Sequence, residues 1–69
     1  MINERDAMML VMSYAGLEGR PVENRQITCS DGLYEVRFRT TELVYDCYVD
    51  AASGEILGFS FEPRDFSLS

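Results

Sequence analysis

The chain has no histidine, no tryptophan and no lysine among its 69 residues. The absence of histidine removes the commonest general base and the commonest nitrogen ligand for metals. The six basic residues, all arginines, stand against 12 Asp and Glu, and the net charge is −6. Phosphate contacts need basic side chains, so this composition argues against nucleic-acid binding. No apolar run approaches the ~18 residues that a membrane-spanning helix needs.

What the chain does contain favours one small folded domain over residues 1–69. Hydrophobic residues make up 46% of it, which is too apolar for a disordered segment. A domain of this size buries only about 60% of its unfolded surface, so its stability margin is small. Met1 to Asp6 is polar and lacks the pattern of a secretory signal. The chain is therefore interpreted either as a complete cytosolic protein or as a domain of a longer exported one.

The first predicted element is a helix from about residue 4 to residue 15. Asn3 is a favourable N-cap, and Gly16 is a natural C-terminal stop. Four apolar residues at i, i+3, i+4 and i+7 predict the face that packs on the core: Ala7, Leu10, Val11 and Tyr14. Met9 and Met12 fall on the other side, where we expect them to offer a minor contact to a partner.

The rest of the chain alternates with a period of two and predicts four strands, over about residues 24–30, 33–39, 44–50 and 55–61. Asp31 and Gly32 form a strong two-residue hairpin turn, and residues 50–54 form a second turn. The tail, residues 62–69, contains Pro63 and is expected to leave the sheet. The sequence therefore predicts an α+β fold, with one N-terminal helix on one face of a four-stranded antiparallel sheet.

The turn positions also fix where the two cysteines lie. Counting outward from the turns pairs Cys29 with Tyr34 and Val36 with Cys47, so one strand separates the two thiols. At ~4.8 Å per strand their Cα atoms are about 10 Å apart, which is too far for a disulfide. We therefore predict that Cys29 and Cys47 are buried free thiols, not a redox or metal pair. The same count sets Arg37 opposite Asp46 on the outer face.

The last strand allows two arrangements. Regular alternation sends Phe59 and Phe61 to the outer face, where they would form one apolar patch and a binding surface for a partner. The members of that predicted patch are Val44, Tyr48, Leu57, Phe59 and Phe61. A bulge at Gly58 would instead turn both phenylalanines into the core. The alternation alone does not choose between the two.

The second turn invites a cation-site interpretation because Asp50 and Glu55 flank it and Asp46 lies nearby. Calcium needs six to eight oxygen ligands, and this run offers too few. We expect Asp50 and Gly54 to have a structural role instead: the carboxylate accepts hydrogen bonds from the turn, and the glycine adopts a positive φ. The sequence predicts no catalytic, metal-binding or cofactor-binding residues.

Residues 34–57 resemble the core of the PepSY domain family. The matching elements are Tyr34-Glu35-Val36, Tyr45, Val49-Asp50-Ala51, Gly54-Glu55-Ile56, and an earlier helix end at Ala7 with Ala15-Gly16-Leu17. Two features depart from the family pattern: Ser53 stands where threonine is usual, and the chain carries no export signal although family members are usually exported.

The resemblance implies a non-enzymatic interaction module without cofactors. PepSY domains occur in propeptides of secreted thermolysin-type peptidases, where they inhibit or chaperone the enzyme, and in cell-envelope proteins. By resemblance, the partner is a peptidase or the rest of the parent chain, and the location is extracytoplasmic or in the cell envelope if this is an excised domain. A self-associating domain that forms a homodimer through the outer sheet face or an edge strand is the alternative.

Overall fold

The computed structural model describes residues 1–64 as one helix followed by four strands. The elements are α1 (Glu4–Ala15), β1 (Glu23–Ser30), β2 (Leu33–Arg39), β3 (Leu43–Asp50) and β4 (Ile56–Pro63). The strands form a single antiparallel sheet in chain order, and α1 contacts the face of β2 and β3. The predicted α+β architecture is therefore confirmed.

Local hydrogen bonds define the two ends of α1. The side-chain oxygen of Asn3 accepts a hydrogen bond from the backbone N–H of Asp6 at 2.8 Å. At the other end Gly16 adopts a left-handed conformation with φ 74°, which closes the helix without steric cost. The chain before the helix is also held, because the Ile2 N–H donates to the Ala51 carbonyl at 2.9 Å.

The core face of α1 differs from the predicted one. The buried helix residues are Ala7, Met8 and Val11, whereas Leu10 is 38% and Tyr14 62% exposed. Because the helix lies over β2 and β3, Leu10 and Tyr14 point along its flank instead of into the sheet. The prediction that both belong to the core face is therefore wrong, and Met8 takes a core position.

The core lies between α1 and the two central strands. Its buried side chains on the sheet alternate along β2 and β3, as the period of two requires: Tyr34, Val36, Phe38, Tyr45, Cys47 and Val49. The pairing has the register that the turns predict, with Val36 opposite Cys47 and Arg37 opposite Asp46. Asp31 and Gly32 both have positive φ, as a type I′ turn requires.

A bulge in β4 decides between the two arrangements of the last strand. Val49 pairs with Ile56 but Tyr48 pairs with Gly58, so Leu57 is an extra residue. The bulge turns Phe59 to the helix-facing side, opposite Cys47. A Cβ atom at position 58 would lie 3.1 Å from the Tyr48 ring, so glycine leaves the room that this close approach needs.

The last strand is also longer than predicted. It runs to Pro63, so residues 62 and 63 belong to the sheet and the predicted tail begins too early. Pro63 pairs with Leu43, whose carbonyl accepts a hydrogen bond from the Thr40 N–H and therefore points away from β4. Leu43 and Pro63 are thus a pair without hydrogen bonds between them. The missing N–H of Pro63 lies on the outer side of the strand, and no ladder hydrogen bond is lost. Residues 65–69 of the predicted tail lie outside the described residues.

Candidate functional site

The apolar patch predicted for the outer face of the sheet does not form as one surface. Val44, Tyr48 and Leu57 lie on the outer face, but the bulge moves Phe59 and Phe61 to the opposite side. Of the two arrangements that the sequence allows, the structure has the bulge, so the five-residue patch that regular alternation requires does not form.

Charged side chains lie among the apolar residues that remain on the outer face. Asp46 lies between Val44 and Tyr48 on that side of β3. The Tyr48 hydroxyl donates to Glu35 Oε2 at 3.4 Å. The negative charges of Asp46 and Glu35 raise the pKa of Tyr48, while Arg37 acts in the opposite direction. This face is a charged surface and not an apolar binding patch.

The helix-facing side of β4 carries an aromatic cluster instead. The Phe59 ring lies 4.8 Å from the Tyr14 ring and 5.9 Å from the Tyr45 ring, measured between centroids. Phe61 adds a contact with Tyr45 at 5.7 Å. Phe59 is half-buried, but Phe61 remains 57% and Tyr14 62% exposed. The cluster therefore continues the core outward to the β4 edge and presents apolar rings to solvent there.

The polar side chains of the turn between β3 and β4 form hydrogen bonds within the turn itself. Asp50 accepts from the Ala52 N–H at 3.1 Å and from the Ser53 hydroxyl at 2.9 Å. The same hydroxyl accepts from the Glu55 N–H at 3.2 Å, and Gly54 has φ 80°. The carboxylate of Asp50 therefore organises the turn.

The two thiols have different environments. Neither is in a disulfide, and Cys47 is fully buried between α1 and the sheet. Burial, with a smaller contribution from Asp46, raises the pKa of Cys47 to about 11. Cys29 is exposed, so the prediction that it is buried is wrong. It does point to the helix side, but α1 covers β2 and β3 and leaves β1 open.

This difference predicts the thiol chemistry of the native protein. One thiol, that of Cys29, should react rapidly with an alkylating or disulfide reagent, and Cys47 should react only after unfolding. A thiol titration with and without denaturant measures both populations, and Cys29→Ser should remove the rapid phase. Rapid reaction of both thiols in the native protein would contradict the buried position of Cys47.

One free edge of the sheet is β1, at the end of the strand order described for residues 1–64. A two-residue type I′ turn makes the flanking residues Ser30 and Leu33 a hydrogen-bonded pair. Alternation then directs the peptide groups of Ile27 and Cys29 away from β2. Those groups are positioned to pair with an added strand.

Within residues 1–64 the strand at the other edge of the sheet is β4. The Asp50 N–H donates to the Glu55 carbonyl at 2.8 Å, so even-numbered positions of β3 pair with β4. The peptide groups of Phe59 and Phe61 then face away from β3. The bulge at the start of β4 and Pro63 at its end limit the segment with open peptide groups to a few residues.

On the helix side of the sheet, a groove lies between α1 on one side and the α1–β1 connection and β1 on the other. One part has a volume of about 530 Å³ and an apolar wall of methionines with Val22, as shown by its lining: Met8, Met9, Met12, Glu18, Gly19, Arg20, Pro21, Val22 and Arg25. The adjoining part, of about 450 Å³, shares Met8 and Arg25 and extends to Glu4, Arg5 and Ile27. Of the two methionines expected to be exposed, Met9 is exposed and Met12 packs against the core at the base of the groove.

The groove carries the opposite charge from the rest of the chain. Three of the six arginines line it, namely Arg5, Arg20 and Arg25, against Glu4 and Glu18. In the part of the chain that the structure describes, the only ion pair joins Arg39 to Glu23, at 3.7 Å. The groove arginines are therefore available to an anionic ligand.

Other kinds of site have little support in residues 1–64. That range holds no group of three or more Cys, Asp or Glu side chains arranged to hold a metal ion. Its single helix is also too short to cross a bilayer. Comparison with protein-family models, curated proteins and solved structures finds no match. The PepSY resemblance therefore rests on the motif residues alone.

Proposed function

We propose that the chain is a non-catalytic, PepSY-like interaction domain that binds a peptidase or the polypeptide to which it belongs. The observation that carries this proposal is the open sheet: α1 covers β2 and β3, and within residues 1–64 both edge strands direct peptide groups away from the sheet. The apolar side chain beside these groups is the partly buried Ile27 on β1 and the exposed Phe61 on β4. Added-strand binding uses this combination, because backbone hydrogen bonds provide affinity and neighbouring pockets provide specificity.

Sedimentation velocity and a cleavage assay with a purified thermolysin-type metallopeptidase test the proposal together. We expect a complex that sediments faster than either protein, and inhibition that saturates at a defined ratio of the two proteins. Unchanged sedimentation and unchanged cleavage across the micromolar range would reject the peptidase as partner. Cleavage of the chain itself, followed on a gel, identifies a substrate and also counts against an inhibitor.

A second candidate is self-association through β4. It is favoured by the exposed rings of Phe61 and Tyr14 beside the open peptide groups of that edge. Two copies related by a two-fold axis at Ser60 would pair Phe59 of each chain with Phe61 of the other. The same sedimentation experiment without peptidase decides it: a mass that doubles with concentration and returns to monomer in Phe61→Glu supports this candidate.

A further inference from the structure

We infer that the β1 edge, with the groove beside α1, is a docking site for an extended acidic segment of a partner protein. The inference rests on the proposed function and names the edge and the chemistry of the partner. Three independent observations support it: the open peptide groups of β1, the apolar groove beside them, and the positive charge around that groove.

The first observation fixes the backbone conformation of the partner. Because Ile27 and Cys29 direct their N–H and C=O groups outward, they can form ladder hydrogen bonds with a fifth strand. The strand is regular from Gln26 to Ser30, after a register shift between Glu23 and Gln26. An extended segment can therefore pair along the second half of β1 and follow the groove past its first half.

The second observation concerns the partner's side chains. A strand added to β1 places alternate side chains on the helix side, next to Ile27 and over the groove. Beside Ile27 the apolar wall is formed by Met8, and in the adjoining part of the groove it is continued by Met12 and Val22. Methionine adapts its shape to different apolar groups, so this wall can accept aliphatic side chains of several sizes. The partner segment should therefore alternate apolar and polar residues.

The third observation fixes the charge of the partner segment. Arg5, Arg20 and Arg25 make no ion pair within residues 1–64, and they surround the groove in a chain whose net charge is −6. The groove lining has these three arginines against two glutamates, whereas the rest of the chain has three arginines against ten Asp and Glu, so an acidic ligand is favoured at the groove. Electrostatic complementarity of this kind directs a partner to one surface and excludes basic competitors.

The β4 edge does not have these properties. Its bulge and Pro63 shorten the open ladder, and its helix-side surface is already occupied by Phe59 and Phe61. No arginine lies on β4 itself. A basic rim beside an empty apolar groove therefore distinguishes β1 as the edge for an acidic partner.

A set of synthetic peptides of about eight residues tests the inference on the whole chain. The first peptide alternates valine with serine in the half that pairs with β1 and consists of aspartates in the half that follows the groove past it, where the arginines lie. The second peptide replaces each aspartate by lysine, and the third is the first peptide with alternate backbone nitrogens of its valine–serine half methylated. Fluorescence anisotropy measures binding. We expect the acidic peptide to bind at least about tenfold more tightly than either of the others, and more weakly as salt is added.

Cys29 reports where the peptide binds, because its thiol lies exposed on the same strand and side. Saturation with the acidic peptide should slow alkylation of Cys29 at least about fivefold if the added strand covers β1. Binding that leaves this rate unchanged would place the peptide elsewhere and overturn the inference. Slower alkylation at high protein concentration without peptide would identify a second copy as the occupant, which would also overturn it.

Charge reversal provides the matched variants. Arg25→Glu should weaken binding of the acidic peptide about tenfold, whereas Arg37→Glu, the same change on the outer face, should alter it less than about twofold. Equal effects of the two variants would reject the groove as the source of the charge preference. Peptidase inhibition without peptide binding rejects this inference alone, and peptide binding without inhibition rejects only the peptidase as partner.

Discussion

Phe38→Ala should remove most of the stability of the fold. Phe38 is 2% exposed and stacks on Tyr45 with a centroid separation of 4.9 Å. Removing a buried phenylalanine side chain costs about 3–5 kcal/mol, because a cavity remains as well as the lost burial. A domain of this size has a total stability of only about 5 kcal/mol. Urea titration followed by far-UV circular dichroism measures the change.

Phe61→Ala is the matched control for this experiment. It removes the same side chain from the same side of the sheet, but Phe61 is 57% exposed. We expect a loss below about 1 kcal/mol, because most of that ring already contacts water in the folded protein. Similar losses in the two variants would contradict the assignment of Phe38 to the core and of Phe61 to its margin.

The second large effect is a loss of stability in alkali that depends on Cys47. Burial raises the pKa of this thiol from an ordinary value of 9.0 to about 11 in the folded protein. The folded state therefore holds its proton where the unfolded state releases it. The contribution is fully present below pH 9 and is lost as the pH rises to about 11, a change of roughly 2–3 kcal/mol. Urea titrations at intervals between pH 8 and pH 11, with these bounds set by the two pKa values, measure it.

Two variants separate this effect from other alkaline titrations. Tyr34 and Tyr48 also have raised pKa values, the first mainly through burial and the second mainly through the charge of Asp46, so they weaken the fold in the same direction at higher pH. Cys47→Ala should flatten the decline between pH 9 and 11, although it lowers the stability at neutral pH. Val49→Ala, which truncates another fully buried side chain of the same strand, should lower the stability at every pH and keep the decline. An equal decline in the Cys47→Ala variant would assign it to the tyrosines.

The sequence predicts the central part of the fold well because strong local signals agree there. The turn at Asp31 and Gly32 fixes the register of β1 on β2, and uninterrupted alternation carries that register through β2 and β3. Asn3 and Gly16 likewise define both ends of α1. Each of these signals depends on a few neighbouring residues, so it can be recognised without knowledge of the tertiary structure.

The incorrect predictions concern tertiary placement. A single extra residue, Leu57, reverses the direction of every following side chain in β4, and the apolar pattern of that strand permits both solutions. The rotation of α1 about its axis depends on which strands it covers, so the spacing could not distinguish Met8 from Leu10 as the core residue. Cys29 is exposed because a helix about 10 Å wide cannot cover four strands spaced ~4.8 Å apart.

The groove beside β1 has no signature in the sequence. Arg5, Arg20 and Arg25 come from the helix, the connection and the first strand, and each alone is typical of a solvated surface residue. Only the placement of α1 over β2 and β3 brings them around one apolar groove. These arginines are close in space but far apart along the chain, so motifs and residue spacing do not predict that they lie together.

The order of the elements has a consequence for how the chain is made. Each strand pairs with the next one along the chain, so the hairpins can close rapidly and locally as synthesis proceeds. The helix leaves the ribosome first, but the surface that buries Val11 includes β3 and is completed only after residue 50 has been added. A helix of 12 residues is marginal in water by itself. During translation the apolar side of α1 therefore stays exposed until the sheet behind it exists, and this interval is when a nascent chain of this kind most needs protection from aggregation.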